Sequence, residues 1–217
     1  MRNQSEEERR HGAIDRRALL YAAGTAMLAP QMLAPHAAHA QRAEKAGSVE
    51  DVKGEAFVVD RNERRTLAQA APVFINDMVG TGAESRLTML LGKDTTLRLG
   101  ERARLTVDRV LVNAGGEITL QSGPILFSRP AGSAPARMRI QSSFGLIAVR
   151  GTRFFAGPSN GVFGVFVERG SVSVTAARKQ VVLRAGQGTN IDRPGAAPTP
   201  PAPWKPERIR AAFESVE

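Results

Sequence analysis

Residues 85–99 read Ser85-Arg86-Leu87-Thr88-Met89-Leu90-Leu91-Gly92-Lys93-Asp94-Thr95-Thr96-Leu97-Arg98-Leu99. Leu87, Met89 and Leu91 fall on one side of an extended chain. Leu97 and Leu99 do the same beyond a Gly-Lys-Asp turn. Alternate side chains of a strand point to opposite faces, so this period of two marks half-buried β-strands. The same alternation runs outward through Leu105 and Val107, Ile118 and Leu120, Ile125 and Phe127, and Met138 and Ile140. Val165 and Val167, Val172 and Val174, and Val181 and Leu183 continue it. Turn signals separate these runs: Gly80-Thr81-Gly82, Gly100, Asn113-Ala114-Gly115-Gly116, Ser122-Gly123-Pro124, Gly157-Pro158-Ser159-Asn160-Gly161, Arg169-Gly170 and Gly186-Gln187-Gly188. Short strands at this spacing predict an all-β domain over residues 48–192, built as a sandwich, barrel or solenoid. Gly54, Gly116 and Gly170 each open a "glycine, polar, strand" unit at unequal intervals, which hints at stacked strand–turn units without a fixed repeat.

The chain has 217 residues, 42% of them hydrophobic, enough to build a real core. It contains no cysteine, which excludes a disulfide framework, thiolate zinc sites and cysteine catalysis. The net charge of +9 is spread along the chain in small groups such as Arg102, Arg104 and Arg109. No long basic run and no docking motif accompanies it. One tryptophan and one tyrosine leave few platforms on which bases stack, so nucleic acid is not the expected partner.

The first forty residues read as an address. A polar stretch ends in Arg16-Arg17, a weakly apolar one runs from Ala18 to Ala29, and His39-Ala40-Gln41 closes an Ala-x-Ala site. Residues 1–40 are therefore expected to be an export signal cleaved between Ala40 and Gln41, giving a periplasmic protein. Arg16 and Arg17 before Leu19-Leu20 resemble a twin-arginine motif, although Asp15 departs from it. The alternatives are an ordinary secretory signal or an uncleaved anchor. No internal apolar run is long enough to span a membrane. All three histidines, His11, His36 and His39, precede Gln41. The chain from Gln41 onward therefore lacks histidine bases, Ser-His-Asp triads and histidine metal ligands.

Residues 193–203 form a Pro/Ala segment expected to act as an extended linker. Beyond it, Trp204, Ile209 and Phe213 mark a short amphipathic helix that docks on the body, docks on a partner, or frays. The expected organisation is thus 1–40 signal, 48–192 β domain, and 193–217 linker and tail.

Several segments in order carry a family likeness. Val149-Arg150-Gly151-Thr152-Arg153-Phe154 resembles the "VRGT-x-F" core of the FecR domain. Val79 to Leu91, Thr95 to Leu105, Val165 to Val174 and the closing Val182-Leu183-Arg184-Ala185-Gly186-Gln187 resemble other segments of that family in the right sequence. Gly92-Lys93-Asp94 departs from the usual Asp-Gly-Ser, and Ala131 to Ala136 is a long insert. The resemblance implies a FecR-like twisted β-solenoid or sandwich, a non-catalytic role in envelope signal transduction, and a protein partner. A glycan-binding role in envelope assembly is the second reading. Family members of the best-known kind carry a membrane helix and a cytoplasmic anti-sigma segment. This chain is read as a free-standing exported form.

No catalytic, cofactor-binding or metal-binding residues are assigned. In the motif, Gly151 is expected to supply a bend, Arg150 to bond backbone carbonyls or face an acidic group, Thr152 to share the turn, and Val149 and Phe154 to flank it in the core. Asp77, Asp94, Asp108 and Asp192 sit at turns and are expected to be solvated rather than paired for hydrolysis. Met78, Met89 and Met138 read as core filler. Among Phe154, Phe155, Phe163 and Phe166, neighbours on a strand point oppositely. One aromatic is therefore expected on an outer face, exposed to a partner or covered.

Overall fold

The computed structural model describes residues 44–60, 63–111, 115–133 and 137–217. The signal segment, with Arg16, Arg17, Ala40 and Gln41, lies outside the described residues, as do Ala134 to Ala136 of the insert. The strands are β1 (Lys45–Lys53), β2 (Ala56–Asp60), β3 (Glu63–Thr66), β4 (Pro72–Phe74), β5 (Met78–Thr81), β6 (Arg86–Leu91), β7 (Thr95–Leu99) and β8 (Arg104–Leu111). They continue as β9 (Gly115–Ser122), β10 (Ile125–Ser128), β11 (Arg137–Ser142), β12 (Gly145–Ser159), β13 (Val162–Ala176), β14 (Lys179–Arg184), β15 (Gln187–Ile191) and β16 (Ala202–Pro203). One helix, α1 (Pro206–Glu214), closes the chain. The protein is all-β, as the alternation requires.

All the strands belong to one sheet that is not closed into a barrel. Its spine is the β12–β13 hairpin, closed by Asn160 (φ 54°) and Gly161 (φ 77°), the two positive-φ positions a type I′ turn needs. The first half of β12 pairs β11 and leads through β9, β8, β5 and β2 to β3; the second half pairs β10 and leads through β7, β6 and β1 to β4. On the other side, β13 pairs β14 along its second half and β15 along its first. Every pairing is antiparallel except β9 with β11.

The spine bends midway. Register slips between Arg150 and Arg153 and again before Phe154, and Gly151 has φ +59°. The sheet folds over at this bend into two wings that share one core. Val107, Ile118, Ile140, Val149, Val172 and Leu183 from one wing and Leu87, Met89, Leu97, Phe127, Phe154 and Val165 from the other belong to a single buried cluster. Phe127 and Phe154 meet there with ring centroids 5.4 Å apart.

A second cluster lies on the outside of the β10–β12–β13 wing. Leu126, Phe155 and Phe166 point away from the main core and are covered by Trp204, Ala212, Phe213 and Val216. The expectation of an exposed aromatic is therefore corrected toward its covered alternative: Phe155 is fully buried and Phe166 nearly so. The stretch expected as a linker is pinned as well. Thr189 Oγ1 donates to the Thr199 carbonyl at 2.6 Å, and Gln187 and Gly188 pair with Pro203 and Ala202. Residues 41–217 accordingly form one compact unit.

Candidate functional site

The bend is the first place where the sequence motif acquires geometry. Val149 and Phe154 are buried on either side of it, and Thr152 between them is fully buried. Backbone register places Arg150 opposite Arg137 on one side and Ser171 on the other. Gly170 faces the bend from β13 with φ +86°. A Cβ there would lie 2.6 Å from Thr152 Cγ2 and 2.7 Å from the Gly151 carbonyl oxygen. Gly151, by contrast, has open space where its Cβ would be. The sequence motif pointed to Gly151, but the close approach belongs to Gly170.

Beside the bend lies an ion pair that the sequence did not reveal. The Arg129 guanidinium is 4% exposed and donates to both carboxylate oxygens of Asp94 at 2.8 and 2.6 Å, with its Nε at 3.1 Å. Arg129 N–H donates to the Thr152 carbonyl at 3.1 Å, and Arg169 donates to the Arg129 carbonyl at 2.5 Å. Hydrogen bonding from Arg129 holds the Asp94 carboxyl below the ordinary Asp range, against a smaller opposing effect of burial. This corrects the view of Asp94 as a solvated turn residue.

Asp77 needs the same correction. It is 4% exposed and accepts the Phe74 N–H at 2.8 Å; burial pushes its carboxyl above the ordinary range. Asp108 accepts from Thr119 Oγ1 at 2.8 Å, and Asp192 lines a cleft. The four aspartates thus serve four separate local roles. Among the described residues no three His, Cys, Asp or Glu side chains converge. Met89 and Met138 are core, while Met78 is half-buried.

The cleft holds about 370 Å³ and opens between the ends of β9 and the β12–β13 hairpin. Phe144 and Phe163 stack at its side, centroids 4.5 Å apart and nearly parallel at 8°. Its lining includes Leu120, Pro158 and Val162, with Asp192 as the one carboxylate. A single acid has no partner for general acid–base hydrolysis.

The two wings differ outside. One carries α1; the other, through β8, β9, β11, the near half of β12, β13 and β14, faces outward with polar or small residues apart from Val182. These include Thr119, Gln141, Ala148, Ser173 and Gln180, with Arg137, Arg139 and Arg184.

Residues 77–173 match the family described as FecR protein, so the chain contains a FecR domain. The match begins at the buried Asp77 before β5 and ends within β13, and so takes in the bend, the ion pair and most of the spine. No curated protein matches the chain. Two crystal structures of a candidate anti-sigma factor from Parabacteroides distasonis ATCC 8503, at 1.65 and 2.50 Å resolution, share the fold with TM-scores of 0.51 and 0.52 at 10% identity. The alignments take in 63% of this chain and 64% and 63% of those chains, so this chain spans somewhat less than two thirds of their length.

Proposed function

We propose that this chain is an exported, non-catalytic FecR-type domain that binds a protein partner in envelope signalling. The observation that carries the reading is the FecR match over 77–173, laid on a folded sheet whose one outer face is occupied by the chain's own helix while the other is left uncovered by the described residues. The similar structures are described as candidate anti-sigma factors, and a regulatory role is what that description brings to this chain. A rigid sheet with open edges suits recognition. No helix among the described residues is long and apolar enough to cross a membrane.

Two measurements test this. Mass spectrometry of the protein recovered from the periplasm is expected to find Gln41 at its N-terminus; a chain retaining Met1 to Ala40 contradicts cleavage. The exported protein, offered isolated cell-wall sacculi and the outer-membrane receptors of its own cell, is expected to retain a receptor. Retention by sacculi alone contradicts the protein-partner reading.

A further inference from the structure

Among the described residues the folded sheet leaves four strand edges. β3 has four residues, β4 three and begins with Pro72, and β16 two and ends with Pro203. The fourth, β14, has six residues, Lys179-Gln180-Val181-Val182-Leu183-Arg184, and pairs with β13 alone. It is the longest unpaired edge among the described residues and contains no proline.

Its backbone can be assigned. The β13–β14 turn is Ala177 (φ 47°) and Arg178 (φ 62°), a two-residue connection with both φ values positive. In such a hairpin the flanking pair, Ala176 and Lys179, exchanges hydrogen bonds, and bonded and non-bonded pairs then alternate. Val181 and Leu183 therefore bond to β13, and Gln180, Val182 and Arg184 turn their N–H and C=O groups outward. The contact from Arg184 N–H to Gln187 Oε1 at 3.0 Å agrees with this parity, since it leaves β13 on the far side. Val182 is also the one large apolar side chain left exposed among the described residues, at 54%.

Charge selects the occupant. Arg178, Lys179 and Arg184 flank the edge, none in an ion pair among the described residues, and residues 178–184 contain no acid. Two copies pairing antiparallel about Val181 through this edge would set Arg178 opposite Arg184, like charge on like charge. A strand with acidic ends and an apolar middle meets both features. We infer that the free edge of β14 accepts an extended acidic segment of a partner protein as an added strand. This rests on the partner-binding reading above and names its surface, which lies beyond the span of the family match.

The test uses the exported chain and a blocked peptide of sequence Glu-Val-Thr-Val-Glu-Asp, with Lys-Val-Thr-Val-Lys-Lys as its counterpart. Hydrogen exchange is expected to slow about tenfold or more at the Gln180 and Val182 amides on adding the acidic peptide. Val182→Pro removes an outward N–H that β13 does not use, so it is expected to keep the fold and weaken the peptide about tenfold or more. Lys179→Glu with Arg184→Glu keeps that amide, and is expected to lose the acidic peptide and gain the lysine one. Binding without protection at Val182, unchanged binding by Val182→Pro with an unchanged response in the charge-reversed pair, or protection that grows with protein concentration alone would overturn the inference. Retention of the native partner by both variants sinks the edge and leaves the partner-binding function standing.

Discussion

The indole of Trp204 lies so close to Gly188 that a Cβ on that glycine would fall 2.2 Å from Trp204 Nε1. Gly164 makes the same kind of space, 2.6 Å from the far edge of the ring. Two glycines on adjacent strands therefore form the seat on which the C-terminal segment rests. Arg208 stacks on the ring, its guanidinium carbon 3.6 Å from the centroid, and bonds Ser159 and Asn190. Glu217, held by Arg98 at 3.0 Å and Arg153 at 2.6 Å, fixes the far end.

Gly188→Ala is expected to lift Trp204 from its seat. Overpacking of this kind costs about 1–3 kcal/mol. Because Trp204 is the sole tryptophan, its emission reports the change directly. A red shift and a lower urea midpoint are the expected result; unchanged emission contradicts the seat.

At the bend, Gly170→Ala is expected to destabilise more than Gly151→Ala. Both impose a left-handed conformation, about 1–2 kcal/mol for a residue with a Cβ. Only Gly170 adds a clash with Thr152 and the Gly151 carbonyl. Gly151→Val, β-branched at positive φ, is expected to lower the melting temperature by several degrees. Thermal melts of the three variants give the order.

Asp94→Asn is expected to cost about 1 kcal/mol at neutral pH, a small value because the carboxylate side chain remains 33% exposed. The pH dependence carries the sharper signature. A carboxyl held below its ordinary value stabilises the fold fully above the ordinary Asp range, and that contribution is lost as pH falls through the lowered value. Urea midpoints of wild type and variant are therefore expected to converge on acidification; a constant gap speaks against the pair.

Asp77→Asn has the opposite sign. Burial raises this carboxyl, so folding disfavours its charged form and the cost appears as pH rises through the ordinary Asp range. Asn retains an acceptor for the Phe74 N–H. The variant is expected to match wild type at low pH and equal or exceed its stability at neutral pH, by up to about 1 kcal/mol. A large loss at neutral pH contradicts this.

The strands were legible because burial is local in origin. Leu87, Ile118, Ile140 and Val174 alternate with polar neighbours, and each is buried on the face its period assigns. Asn160-Gly161 announced its hairpin through residues that tolerate positive φ, whereas Ala177-Arg178 closes an equally tight turn with none of that chemistry. The FecR motif was likewise readable, because Val149, Gly151, Thr152 and Phe154 stand together in the chain. The pairing of Asp94 with Arg129, 35 residues away, was not.

Sequence alone settled that this is a β protein with a FecR domain, since a period of two and an ordered set of short motifs are properties of neighbouring residues. Tertiary structure alone decided which faces and edges remain free. Trp204 and Phe213 cover Phe155 and Phe166 only because the chain returns across β13, and β14 is an edge only because no later strand takes its place. Such contacts join residues far apart in the chain, where periodicity carries no information about which surface meets which.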